Sequence, residues 1–140
     1  MGSSFSIFEP TMKAAAILVA AGSSTRMGFD KLTAPLAGQP LLFWSLQAVQ
    51  DCAEISMAIL VCAPQRTEEF AALAKSFPKI SRVVAGGAER SASVLNGLLA
   101  LAPNPPDLVA VHDAARPLAT PALFSQILAA AEKYRAASAA

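Results

Sequence analysis

Charge is scarce in this chain of 140 residues: only 15% are Asp, Glu, Lys or Arg, and the formal net charge is +1. So even a balance excludes a nucleic-acid partner gripped by bulk electrostatics. Long apolar runs are also missing. None approaches the length of a membrane span, so no membrane partner is expected. Residues 1–11 lack the basic start and continuous apolar core of a secretory signal. They are expected to be a disordered extension ahead of a natural start at Met12-Lys13, with one domain over residues 12–140. The two cysteines, Cys52 and Cys62, form no C-x-x-C pair. They read as buried thiols in a reducing cytosol rather than a disulfide or metal site, which places the protein in the cytoplasm. The only histidine, His112, has no partner at metal or triad spacing and reads as structural or supporting. No pairing of nucleophile and base stands out anywhere.

What the chain does have is apolar bulk. Hydrophobic residues make up 54% of it, which excludes a chain disordered throughout. A domain of this size buries roughly two-thirds of its unfolded surface. Four short apolar segments without alternation recur: Ala14–Ala20, Met57–Cys62, Ile80–Ala85 and Leu108–His112. Continuous Val, Ile and Leu is how strands covered on both faces read. Helical spacing lies between them, over Pro40–Ala53, Pro64–Phe77 and Glu89–Leu101. Thr120-Pro121 offers an N-cap with proline at the first helical position, opening a helix to about Arg135. Strand alternating with helix predicts an α/β fold, a mainly parallel sheet with helices on both faces.

Ligands of such sheets bind at the carboxyl ends of strands, where the strand order switches. Three polar motifs fall at such ends. The first runs from Gly22 through Arg26 and Gly28 to Lys31, directly after the first strand. Its glycine and small hydroxyl residues leave the backbone open, and its two cations suit a polyphosphate. It is not a P-loop, because Met27 stands where that motif needs its second glycine, and it lacks the G-x-G of a dinucleotide fingerprint. The bland alternative is an ordinary turn with two solvated cations. The second motif, Gly86-Gly87-Ala88-Glu89-Arg90, leads into a helix with Ser93 about one turn inside. The paired glycines let the backbone turn sharply beside a flat ligand, while Ser93 points to the crevice or to solvent, and Arg90 is equally well a salt-bridge residue. The third motif, His112-Asp113-Ala114-Ala115-Arg116-Pro117, ends an apolar strand in a carboxylate. Asp113 must be solvated, paired with Arg116, or bound to a metal. Magnesium often takes only one or two protein carboxylates and draws its other ligands from phosphate and water. The missing nucleophile fits phosphoryl or nucleotidyl transfer, where the incoming oxygen is already anionic and the protein supplies positioning and charge.

Taken together and in order, these motifs resemble the 2-C-methyl-D-erythritol 4-phosphate cytidylyltransferase family. The resemblance rests on Leu18-Val19-Ala20-Ala21-Gly22 with Arg26 and Lys31, on Gly86-Gly87-Ala88-Glu89-Arg90 with Ser93-Val94 and Gly97-Leu98, and on Val111-His112-Asp113-Ala114-Ala115-Arg116-Pro117. It runs from about Met12 to the C-terminus. It implies a Rossmann-like nucleotidyltransferase fold and transfer of CMP from CTP to methylerythritol phosphate, releasing pyrophosphate in isoprenoid precursor synthesis. In that role Arg26 and Lys31 are the catalytic cations, gripping the triphosphate. Backbone at Ala20, Ala21, Gly22, Gly87 and Ala88, with the Ser93 hydroxyl, recognises cytosine and ribose. Asp113 serves the nucleotide, a Mg2+ ion and the acceptor substrate, and Arg116 lies near the acceptor phosphate or holds Asp113. The resemblance also implies a homodimer in the full-length protein. A sibling acting on ribitol 5-phosphate and an inactive nucleotide-binding fragment are the alternatives. Family members continue past the equivalent of Ala140, so the chain is expected to be a truncated, nucleotide-binding half. It is expected to bind CTP weakly, not to turn over methylerythritol phosphate, and to self-associate.

Overall fold

The computed structural model describes residues 13–22, 31–116 and 120–134. The expected extension at residues 1–11 and the phosphate-loop residue Arg26 lie outside them.

The chain forms β1 (Ala14–Ala20), a two-stranded hairpin of β2 (Pro35–Leu36) and β3 (Gln39–Pro40), then α1 (Leu41–Gln50) and β4 (Ile55–Cys62). There follow α2 (Thr67–Ala74), β5 (Ile80–Ala85), α3 (Arg90–Leu101), β6 (Leu108–Asp113) and α4 (Pro121–Tyr134). The four long strands make one parallel sheet in the order β5-β4-β1-β6. Ile17 of β1 pairs with Ile59 on one side and Val111 on the other. The connections from β1 to β4 and from β4 to β5 step outward in one direction. The α3 crossover then carries the chain back to the other side of β1, so the order reverses between β1 and β6. A crevice at their carboxyl ends follows from that topology.

Every residue of β1 is buried, which explains its unbroken apolar run. Its even-numbered side chains pack on one face, with Leu42, Leu46 and Val49 of α1, Phe70 of α2 and Phe124 and Leu128 of α4. Ala15, Ile17 and Val19 point to the other face, where Leu101 and Val94 of α3 meet them. Helices therefore cover both faces as expected, but unequally: three on one and α3 on the other. Gly97 lets α3 lie close to the sheet, since a Cβ there would sit 2.7 Å from Ile17 Cγ2.

The largest departures from the sequence reading are two helix boundaries and one hairpin; β4 also starts earlier, at Ile55, and β6 runs on to Asp113. The helix expected over Pro64–Phe77 is a 3-10 turn at Pro64–Arg66 followed by the shorter α2. Pro78 follows Phe77 and disfavours helical backbone there, and the Phe77 amide instead turns onto the Ala74 carbonyl at 2.9 Å. The helix expected to Ala53 ends at Gln50, where the Cys52 amide tightens onto the Val49 carbonyl. The β2–β3 hairpin was not anticipated; its turn holds Ala37 at φ 52 and Gly38 at φ 84. The cap of α4 forms as read, the Leu123 amide donating to Thr120 Oγ1 at 3.1 Å.

Candidate functional site

A cavity of about 160 Å³ opens at the switch point. Three separate stretches wall it: Val19 near the end of β1 with Ala21 and Gly22 just after it, Gly87 to Arg90 with Ser93 at the start of α3, and Asp113 at the end of β6. It is smaller than the roughly 300–1,000 Å³ of pockets that enclose whole drug-sized ligands.

The α3 side is built by close packing. Neither Gly86 nor Gly87 takes a positive φ, so a sharp turn is not what requires glycine there. Space is: a Cβ on Gly86 would lie 2.6 Å from both Ala21 Cβ and Ser93 Oγ, and one on Gly87 would lie 2.4 Å from Ala92 Cβ. Ser93 is buried, and its Oγ accepts the Gly87 amide at 3.2 Å. Asn96 Nδ2 donates to the Ala85 carbonyl at 3.0 Å, fixing the strand end from the next turn of α3. Glu89, the N-cap residue, makes no side-chain cap bond. The first-turn amides of α3 are therefore left to solvent or a ligand, at the helix end that favours negative charge.

On the β6 side the Ala115 amide donates to Asp113 Oδ1 at 3.1 Å. Among the described residues Asp113 makes no ion pair with Arg116, so the paired reading of this carboxylate is not the arrangement seen. His112 is half-buried, edge-on to Phe124 at 5.2 Å, with Nε2 donating to the Arg116 carbonyl at 3.1 Å. The carbonyl can only accept, so Nε2 carries the proton. Burial pushes the imidazole pKa below its ordinary value, which fits the supporting role read from sequence.

Of the residues singled out in the sequence, the cavity gathers Ala21, Gly22, Gly87, Ala88, Ser93 and Asp113. Ala20 is buried in β1 beside it. Lys31 begins the exposed turn that leads to the hairpin, and it and the exposed Arg116 are not among the lining residues. Arg26 lies outside the described residues. The sequence reading passed over Val19 and Glu89, and left Arg90 open. Arg90 lines the cavity and has no ion-pair partner among the described residues. The sequence signal for Glu89 was its position just before the helix, next to the paired glycines. Among the described residues no three His, Cys, Asp or Glu side chains come together. The cavity still offers two carboxylates, Asp113 and Glu89. That donor set fits a magnesium ion, which completes its shell with phosphate and water, better than a metal needing a full protein cage.

Comparison with known proteins identifies the family. The family model described as IspD, 2-C-methyl-D-erythritol 4-phosphate cytidylyltransferase, matches residues 14–140. A 2-C-methyl-D-erythritol 4-phosphate cytidylyltransferase of Cereibacter sphaeroides is 44% identical over 123 residues, which are 86% of this chain and 55% of the relative. One from Caldanaerobacter subterraneus subsp. tengcongensis is 37% identical over 132 residues, 91% of this chain and 58% of the relative. The crystal structure of 4-diphosphocytidyl-2C-methyl-D-erythritol synthase from Anaerococcus prevotii superposes with a TM-score of 0.75 at 30% identity, covering 87% of this chain and 52% of that one. The chain thus spans little more than half the length of the relatives it matches.

Proposed function

Because the chain belongs to the 2-C-methyl-D-erythritol 4-phosphate cytidylyltransferase family, we propose that it binds CTP at the β1–β6 crevice for transfer of CMP to methylerythritol phosphate. One observation carries the reading: motifs far apart in the chain wall a single cavity at the switch point. The cavity lined by Gly22 and Gly87 suits a pyrimidine read by backbone groups. Because Ser93 Oγ accepts from Gly87, its own hydrogen can be donated to the base or ribose. Arg26 and Lys31, on the segment leaving β1, take the triphosphate, and the α3 N-terminus adds positive potential. In the reaction an oxygen of the acceptor phosphate forms a bond to the α-phosphorus of CTP. The bond from that phosphorus to the bridging oxygen breaks, and its electron pair leaves with pyrophosphate. Asp113 and Glu89 would hold Mg2+, which when bound neutralises triphosphate charge. Arg116 orients the acceptor phosphate.

A homodimer of the longer, full-length protein, in the cytoplasm and with neither nucleic acid nor membrane as partner, belongs to the same proposal. Two buried free thiols support the location, and among the described residues no helix is long and apolar enough to cross a membrane. Calorimetric titration with the four nucleoside triphosphates tests the reading. CTP should bind most tightly, because buried polar groups left unpaired by a wrong base discriminate strongly. Equal affinity for all four would defeat it. Pyrophosphate release with methylerythritol phosphate and with ribitol 5-phosphate identifies the acceptor.

A further inference from the structure

Only two polar side chains among the described residues are buried, Ser93 and Ser45. Ser93 belongs to the site. Ser45 lies on α1, outside the cavity walls, with no accessible surface. A hydroxyl so placed must be bonded to repay its desolvation. It is: Ser45 Oγ donates to the Ala114 carbonyl at 2.8 Å, and approaches the Arg116 carbonyl at 3.5 Å.

The Ala114 carbonyl and the Ala115 amide belong to one planar peptide group. They therefore cannot be oriented independently. The carbonyl end of that plane is fixed by Ser45, and the amide end donates to Asp113 Oδ1. Two further bonds hold the same segment: the Ala114 amide donates to the Val19 carbonyl at 2.9 Å, and His112 Nε2 donates to the Arg116 carbonyl. The plane's tilt sets where the amide points, and the amide sets which way the carboxylate faces the cavity. We infer that Ser45 is a positioning residue of the active site, acting through the Ala114–Ala115 peptide to orient the Asp113 carboxylate. The inference rests on the proposed reading of Asp113 as a nucleotide- and magnesium-side group.

The test is a double-mutant cycle on Ser45→Ala and Asp113→Asn, read as CTP affinity in the presence of Mg2+, with melting temperature followed in parallel. Ser45→Ala should weaken CTP binding about fivefold, the equivalent of one net hydrogen bond. In the Asp113→Asn background the same change should cost nothing further, because the group it orients has lost its charge. Ser45→Cys keeps the volume and a weak donor, so it should fold and give an intermediate affinity; it replaces Ser45→Ala in the cycle where the alanine variant does not fold. A lowered melting temperature with unchanged affinity would mean that Ser45 only packs α1, and would overturn the inference. An equal loss in both backgrounds would overturn it too, since Ser45 would then act without Asp113. If Asp113→Asn alone leaves CTP affinity unchanged, the reading of Asp113 fails and the inference falls with it.

Discussion

At the scale of single residues Lys31, the last residue of the phosphate-loop motif, invites the simplest experiment. Lys31 is exposed, so its truncation removes little packing and surface changes of this kind move stability by about 0.5 kcal/mol or less. A charge-assisted hydrogen bond to phosphate contributes about 1.5–3 kcal/mol. Lys31→Ala should therefore weaken CTP binding about tenfold or more while leaving the melting temperature nearly unchanged; retained affinity would remove Lys31 from the site. His112 predicts a pH dependence. Its folded pKa is depressed by burial below an unfolded value of about 6.5. Above that value it is neutral in both states and adds no slope. As pH falls through about 6.5 toward the folded value, the unfolded chain takes up the proton first, and stability is lost. Glu54, lowered by the Ser125 hydroxyl that donates to it at 2.5 Å, has the same sign in the more acid carboxylate range. Melting temperatures should fall between pH 7 and 5, and His112→Asn should flatten that fall; an unaltered slope would assign it to other groups. Gly87, Ser93 and Asp113, which line the cavity, stand out in the sequence as candidates because each breaks a local pattern, a glycine pair, a polar helix start, a charge ending an apolar strand. Ser45 breaks none. It is one serine within a helix, and its partner Ala114 is 69 positions away, a pairing that only the folded chain creates.

At the scale of elements the strands were the most legible, β1 and most of β4 because they are buried and so read as unbroken apolar runs. The outer strands β5 and β6 are only partly covered, against the expectation of burial on both faces, and were found by their Val, Ile and Leu content alone. Helix ends were less so. Pro64 and Phe77 both fit a helical pattern, and the termination depended on backbone competition that periodicity does not carry. The β2–β3 hairpin has two residues per strand, too few for any alternation to register. Its turn predicts a stabilising change. Ala37 sits at φ 52, where a Cβ crowds the carbonyl and Asn is better tolerated. Ala37→Asn should raise stability by about 0.5–1 kcal/mol, visible as a higher urea midpoint, and a lower midpoint would count against the strain. Gly97 predicts the reverse. Alanine normally gains up to about 1 kcal/mol over glycine within a helix. Here its Cβ would meet three atoms of Ile17 within 3.2 Å, and overpacking of that kind costs about 1–3 kcal/mol. Ile17 is fully buried in the central strand, with little room to yield, so packing should win and Gly97→Ala should lower the midpoint. Because α3 also carries Ser93, the same variant should weaken CTP binding.

At the scale of the molecule the uneven cover of the sheet sets the outcome. Among the described residues three helices shield one face, whereas α3 is the one helix on the other and leaves Leu95 54%, Leu98 42% and Leu99 61% exposed. On that same face Val111 of β6, the outermost strand on its side of the described sheet, is 40% exposed. Burying a leucine fully gains about 1.5–3 kcal/mol, and these are already half covered. Three of them and one valine therefore yield a few kcal/mol, against an association cost of about 4–15 kcal/mol. Backbone pairing along the open side of β6 adds to the gain. A second copy of the chain is the occupant at hand, and the balance predicts weak, concentration-dependent self-association, not a tight dimer. Sedimentation velocity over a hundredfold range of concentration should show the mean mass rising. The double variant Leu95→Glu with Leu99→Glu should suppress the rise, since both side chains lie on the outer surface of α3 and their replacement disturbs no core contact. Val111→Lys should suppress it further by charging the strand that would pair. A chain that stays monomeric at every concentration would show that the exposed leucines are too dispersed to associate.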